Sequence, residues 1–399
     1  MVGAVVLAAG FTLFFACETS LGNIHDFGGH IWFAVGLAIA ASSTWWFGLF
    51  DPASSAGYAS HRAPPAWVAG ARSPPTDDRV RDVSAARAVL VSASLAGAAA
   101  CAVQASRARA VRRRISWAPG TGTAHEAALH ARTIGHGPAG VVLLHGLGGS
   151  NAYWGAAYDT LAGTGRLVVP DLLGFGASPR PPVGYTTDDH VRALTAVLDE
   201  LDVAGPVVVG AHSVGCLIAL ALADRHPDLV AGVVAFCPPL YPDEPNARDR
   251  IARLGWLEDQ VATDGPWAEA ACGWMCRHRK AAARVAAVVR PGLPAPIRKD
   301  GVEHTWVSYS QTFRHLLAAA EGGRWLAHVD VPVELVAGTD DRVTDLGYLR
   351  RLAADLPHVT LTVHAGADHD LPLTDPIGAV AALTRAARLL PPAHASHQA

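Results

Sequence analysis

Val207-Val208-Val209-Gly210-Ala211-His212-Ser213-Val214-Gly215-Cys216-Leu217 is the stretch whose reading decides the fold. It opens as an apolar β-branched run, the mark of a strand, and from Val214 onward the apolar residues follow a helical pattern. Between the two stands a turn of the form small-x-Ser-x-Gly, made by Ala211, Ser213 and Gly215. Small flanking residues let a chain reverse so sharply that the serine hydroxyl stands clear of the backbone. Ser213 is therefore the candidate nucleophile. An ordinary serine at a helix start has a similar local pattern, so the rest of the chain has to decide between them.

Upstream lies Val141-Val142-Leu143-Leu144-His145-Gly146-Leu147-Gly148-Gly149, a second apolar strand running into a His-Gly turn. Pro170-Asp171-Leu172-Leu173-Gly174-Phe175-Gly176-Ala177-Ser178 stands between the two, and downstream an aspartate follows one strand and a histidine the next. This arrangement resembles the α/β-hydrolase fold, whose triad runs in the chain order Ser, Asp, His. The resemblance spans Ala127 to Leu390; Ala211 stands where the family usually has glycine.

Strand and helix patterns alternate through that region. Strands are expected at Ala128–Ile134, Val141–Leu144, Arg166–Val169, Val207–Gly210, Val230–Phe236, Val333–Ala337 and Val359–His364. Helices are expected at Ala152–Ala162, Asp188–Leu201, Val214–Arg225, near Leu346–Asp355 and at Pro376–Leu389. Such alternation makes an α/β fold with a mostly parallel, doubly wound sheet. The stretch from Pro239 to Trp325, inside a gap of about 90 residues between strands, is too long for a loop. It carries helical patterns and Trp256, Trp267, Trp274 and Trp306, and the resemblance implies a helical lid there.

A serine hydroxyl needs a base within hydrogen-bond reach and an anion to orient that base. By the resemblance, the base is His369, in Gly366-Ala367-Asp368-His369 after the last strand; His364 competes but lies inside the strand itself. The acid comes from Gly338-Thr339-Asp340-Asp341-Arg342, where two aspartates compete. The family's acid is commonly the third residue after that glycine and often precedes arginine, which selects Asp341 over Asp340. The proline expected soon after is missing, and Asp345-Leu346 stands there instead. The backbone N–H groups of Leu147 and Val214 are the expected oxyanion donors. His145 is then structural and Asp171 a turn former.

The chain has 399 residues, half of them hydrophobic, with the excess concentrated before Arg107. The first 106 residues read as a membrane region with two or three hydrophobic segments. Ile31 to Phe50, about 20 residues with Trp32 near one end and Trp45-Trp46 near the other, is the most secure span. Val2–Ala16 is short for a bilayer, and Ala85–Val103 is marginal, being mostly alanine with Arg87. Arg107, Arg109, Arg112, Arg113 and Arg114 open a basic, Gly/Pro-rich linker over 107–126. A two-span hairpin keeps everything basic inside, because Glu18–His30 has no lysine or arginine, and three spans with an outer N-terminus keep that cluster inside too. The expected site is the cell membrane, with the catalytic domain, residues 127–390, on the cytoplasmic side and a disordered tail over 391–399.

The formal net charge is -3, and no basic field covers the C-terminal domain, so nucleic acid is not an expected partner. Six cysteines give no disulfide framework. Cys272 and Cys276 are one helical turn apart, but a metal site needs further ligands and only His278 is close by in sequence, so neither a metal nor a cofactor is expected. The expected activity is a membrane-anchored serine hydrolase cleaving a carboxylic ester, lipophilic if the anchor serves the chemistry, with the bilayer as a partner. Carbon–carbon bond hydrolysis, a cofactor-free peroxidase and a catalytically silent, membrane-bound binding module are the alternatives.

Overall fold

The computed structural model describes residues 115–390, apart from 138–139, 204, 255–265 and 290–291. The expected membrane region, the arginine cluster and the tail lie outside the described residues, among which no helix is long and apolar enough to cross a membrane.

Eight strands make one sheet: β1 (Thr123–Glu126), β2 (His130–Ile134), β3 (Gly140–Leu144), β4 (Arg166–Pro170), β5 (Val207–His212), β6 (Val230–Phe236), β7 (Val333–Gly338) and β8 (Val359–His364). Their order is β1-β2-β4-β3-β5-β6-β7-β8. β1 pairs antiparallel with β2, and β2 antiparallel with β4; the remaining pairs are parallel. β3 and β5, the two strands that lead into the His-Gly turn and the Ser213 turn, are neighbours, with Leu144 opposite Ala211. Both are buried along their whole length, as parallel strands covered on both faces must be.

The helices set the layers. Helix Thr187–Glu200 starts with a capping box, the Thr186 hydroxyl taking the Asp189 N–H and the Asp189 carboxylate returning to Thr186. Its buried positions 187, 190, 191, 194, 197 and 198 form one stripe. Helix Val214–Arg225 is buried from Val214 to Ala223, apolar all round because the sheet lies on one side and helices on the other. On the opposite group, helix Pro376–Ala386 packs against the segment Ala156–Thr164 and against β5 and β6.

Three expectations are corrected. The helix expected over Ala152–Ala162 is instead two 3-10 pieces, Asn151–Tyr153 and Ala156–Thr164, broken at an extended Gly155. A Cβ at Gly155 would lie 2.6 Å from both the Ala118 carbonyl oxygen and Trp117 Nε1, so the break is where the incoming chain docks. The linker therefore ends earlier than 126: Trp117 donates to the Ala152 carbonyl at 3.1 Å, the Ala156 N–H reaches Ala118, and Thr123–Glu126 is the edge strand. That strand is exposed along most of its length and carries no apolar alternation to reveal it. Finally, the segment from Glu244 to Ala318 is, where it is described, a series of short helices joined by turns, but helix Gly322–His328 packs on Val214–Arg225 and belongs to the core layer, not to the insertion. A Cβ at Gly322 would meet Leu217 and Leu240 at 2.5 Å.

Candidate active site

Ser213 stands between β5 and the helix Val214–Arg225, with φ 54 and ψ -125. Such a conformation costs a non-glycine residue about 1–3 kcal/mol and is held only by its surroundings. Gly215 supplies part of that support, since a Cβ there would lie 2.6 Å from the His145 carbonyl and 2.9 Å from that of Leu144. Ala211 is tolerated in place of glycine because it lies in the regular strand, paired with Leu144 and Ala235. Although Ser213 occupies the N-cap of its helix, its side chain makes no cap hydrogen bond. The hydroxyl faces His369 instead, with Oγ 3.0 Å from Nε2.

His369 is carried by the loop after β8, and that loop is stitched to the loop after β7. The Asp340 N–H donates to Ala367, the Gly366 N–H to the Thr339 hydroxyl, and the Thr339 N–H to His364. Gly338 allows this contact, because a Cβ there would stand 2.0 Å from the Ala367 carbonyl oxygen. The stitching places His369 Nδ1 at 3.0 and 3.1 Å from the two carboxylate oxygens of Asp341. Burial opposes the charge of Asp341, but the imidazole of His369, the Thr344 hydroxyl at 2.6 Å and the Val343 N–H at 2.8 Å outweigh it and hold the carboxyl well below its usual range. An ionised Asp341 accepts a hydrogen bond from Nδ1–H and so keeps the proton on that nitrogen, which leaves the lone pair of Nε2 for the serine hydroxyl. Asp340 is exposed and bonded to Thr339. His364 sits half-buried 3.5 Å from Asp375.

The His-Gly turn lies against the nucleophile: a Cβ at Gly146 would be 3.0 Å from Ser213 Cβ. Leu147 follows in that turn, and Val214 opens the helix, whose first N–H groups have no partner within it. His145 is fully buried; the Leu172 N–H donates to its Nε2 at 2.9 Å, so Nδ1 carries the hydrogen given to the Gly146 carbonyl. Asp171 accepts from Asn151 and from the Ala177 N–H, and it crowds Gly176, as a turn former should.

Two neighbours were not singled out by the sequence. His212 is buried, its Nε2–H donating to the His369 carbonyl at 2.8 Å while Tyr153 stacks on its ring at 4.6 Å. Burial, with His369 close by, pushes its pKa down to about 3, so the ring is neutral. Cys237 directly follows β6 with φ 51, its thiol buried and pushed up by that burial, within reach of Asp341 and His369. The signal for both was position: each lies at the C-terminal end of a central strand, on the edge where Ser213 stands.

A strained serine at a strand-to-helix turn, backed by an imidazole and a buried carboxylate on an eight-stranded mostly parallel sheet, defines an α/β hydrolase. The Alpha/beta hydrolase family matches residues 141–383, more than half of the chain, and the chain belongs to that family. It is 30% identical over 248 residues to Probable lysophospholipase BODYGUARD 4 of Arabidopsis thaliana, covering 58% of this chain and 59% of that protein. A haloalkane dehalogenase of Mesorhizobium japonicum is 40% identical over 122 residues, 29% of this chain and 39% of that one. The chain thus spans less than two thirds of the length of these curated relatives. Among solved structures, a mutant of the Vigna radiata epoxide hydrolase superposes with a TM-score of 0.53 at 21% identity, covering 67% of this chain and 98% of its own. E-2-(acetamidomethylene)succinate hydrolase gives 0.52 at 21% identity, covering 66% and 98%.

Proposed function

We propose that the protein is a serine hydrolase that cleaves a carboxylic ester through an acyl-enzyme. The observation that carries this reading is the continuous contact Asp341–His369–Ser213, with the serine hydroxyl turned away from its own helix and onto the imidazole. Oγ attacks the carbonyl carbon while Nε2 of His369 takes its proton; the oxyanion is received by the N–H groups of Leu147 and Val214. The alcohol leaves with the proton from Nε2, and water, deprotonated by the same nitrogen, releases the acid and restores Ser213. Relatives named for dehalogenase or epoxide hydrolase activity do not set the reaction here, because those branches of the fold use an aspartate where this chain has Ser213.

The substrate we infer is a lipophilic ester. The name lysophospholipase among the plant relatives supports it, as does the apolar N-terminal sequence, which would hold the hydrolase at a membrane with its catalytic domain on the cytoplasmic side. An anchor shortens the search for a substrate that partitions into lipid and does nothing for a freely soluble one. The helical insertion between β6 and β7 then serves as the lid over that substrate.

The test combines labelling by a fluorophosphonate with turnover of p-nitrophenyl esters of rising chain length. The full chain and a chain lacking residues 1–106 are compared on long-chain esters in liposomes and on short soluble ones. Labelling with ester turnover supports the serine esterase; absence of labelling in folded protein overturns it. An unchanged long-chain rate without residues 1–106 removes the lipid-substrate reading and leaves the esterase standing.

A further inference from the structure

The helical insertion holds a cluster that the chemistry at Ser213 does not use. Cys272 and Cys276 stand one turn apart on helix Pro266–Arg277, their sulfurs 3.8 Å apart. The third member is His304, just ahead of helix Trp306–Thr312, and one donor atom from each residue lies within 4.8 Å of the others. His278, the histidine nearest in sequence, is not part of the cluster; its ring lies against Trp274. Sequence spacing hid the true third member, which is 28 positions beyond Cys276.

Two features point to a ligand. Two sulfurs bound at about 2.3 Å to a tetrahedral ion stand roughly 3.8 Å apart, the separation already present between Cys272 and Cys276. A thiol-to-thiol hydrogen bond would account for that distance but not for the second feature: His304 is 2% exposed and its Nδ1 has no hydrogen-bond partner. Leaving a buried polar atom in that state is unfavourable, and a metal bond would offset the loss.

We propose that Cys272, Cys276 and His304 bind a thiophilic d10 cation, zinc(II), with water in the fourth position. Binding releases the protons of the two thiols, one of which Cys276 now gives to the His304 carbonyl at 3.2 Å. Two thiolates, one neutral imidazole and a divalent ion sum to zero charge, so the buried site has no net charge to desolvate. The guanidinium of Arg279 is bonded to that same carbonyl at 3.2 Å. Glu303 pairs with Arg279 and Arg180, at 3.1 and 3.5 Å, and is occupied by them. Sulfur donors exclude calcium and magnesium as occupants. Cys272 is buried whereas Cys276 keeps some exposure, which gives the ion and its water a way in. The ion would tie helix Pro266–Arg277 to the chain before Trp306, beside Phe175 of the loop after β4, whose ring is 6.4 Å from His304.

The test uses the full chain, purified under reducing conditions and stripped by chelator. Titration with Co2+ should give thiolate-to-cobalt charge-transfer absorption saturating at one equivalent and abolished by Zn2+. Cys272→Ser and Cys276→Ser should lose that absorption, and His304→Gln should weaken binding by more than the roughly 10–100-fold that loss of an outer hydrogen-bond partner costs. Ser213→Ala should keep both. Where a variant fails to fold, the wild-type protein still decides: Zn2+ should raise its Tm and protect Cys276 from alkylation. No charge-transfer absorption in the wild type, an unaltered signal in the two serine variants, or alkylation of Cys276 indifferent to Zn2+ would each overturn the site.

Discussion

At Ser213 a side chain that could cap its helix is withheld from that use by a positive φ, and the hydroxyl is spent on His369. Ser213→Ala should therefore abolish fluorophosphonate labelling and ester turnover while leaving Tm within a few degrees of the wild type, since no cap is lost. Turnover near the wild-type level would refute Ser213 as the nucleophile. The acid admits a sharper contrast, because the two aspartates are adjacent. Asp341 is buried, accepts from Val343, Thr344 and His369, and fixes the tautomer; Asp340 is exposed, and its carboxylate accepts from the neighbouring Thr339 hydroxyl. Asp341→Asn should lower kcat by up to ~10⁴, the effect of the same change in a serine protease triad, and Asp340→Asn by far less. The reverse ranking would transfer the acid to Asp340.

The turns and loops between elements depend on where backbones touch, and glycines mark those places. Gly215 and Gly163 make opposite cases. A methyl at Gly215 would strike the carbonyls of His145 and Leu144, backbone that cannot turn aside, whereas at Gly163 nothing lies within 4 Å. Gly215→Ala should cost about 1–3 kcal/mol by overpacking and depress kcat with it, because the same contact holds the His-Gly turn against the elbow. Gly163→Ala should be neutral or raise stability by up to about 1 kcal/mol, read from urea midpoints. Equal effects at both positions would show that the close approach does not matter. The same distinction explains what the sequence could carry. Six of the strands, β3 to β8, announce themselves by β-branched apolar runs, and the elbow by its small residues. Edge strand β1 has no apolar face to show, and Gly155 interrupts a helical pattern for a reason, the docking of Trp117 and Ala118, that lies far along the chain. Asp341 was favoured over Asp340 by family pattern; its burial and three sets of donors became visible only with the loops assembled. His212 and Cys237 were hidden because their neighbours, His369, Asp368 and Tyr153, are distant in sequence.

For the whole molecule, the consequence of burying so many imidazoles is a dependence of stability on pH. Burial pulls His190 down to about 4, and burial together with His369 pulls His212 to about 3; His145 is lowered as well. In the unfolded chain each ring takes its proton near 6.5. Below that pH the unfolded state binds more protons than the native one, so stability falls as pH drops from 6.5 and goes on falling until the native rings titrate, near 4 for His190 and 3 for His212. A shift of this size is worth on the order of a few kcal/mol per ring. Asp341 has a lowered pKa too, so its contribution is complete above the ordinary carboxylate range and is lost only as pH falls below it. The Tm should accordingly be nearly level above pH 7, decline between 6.5 and 4, and fall further below 4. His190 allows the cause to be isolated, because its Nε2 meets the Thr312 hydroxyl at 3.1 Å and so links helix Thr187–Glu200 to the insertion. His190→Gln keeps an amide there without a titratable ring, so its Tm should start lower yet decline less steeply between pH 6.5 and 4. The quantity read is the slope, which a merely weakened fold would not change. A wild-type Tm equal at pH 4.5 and 7, or the same slope in His190→Gln, would show that buried neutral histidines do not set the acid limit of this hydrolase.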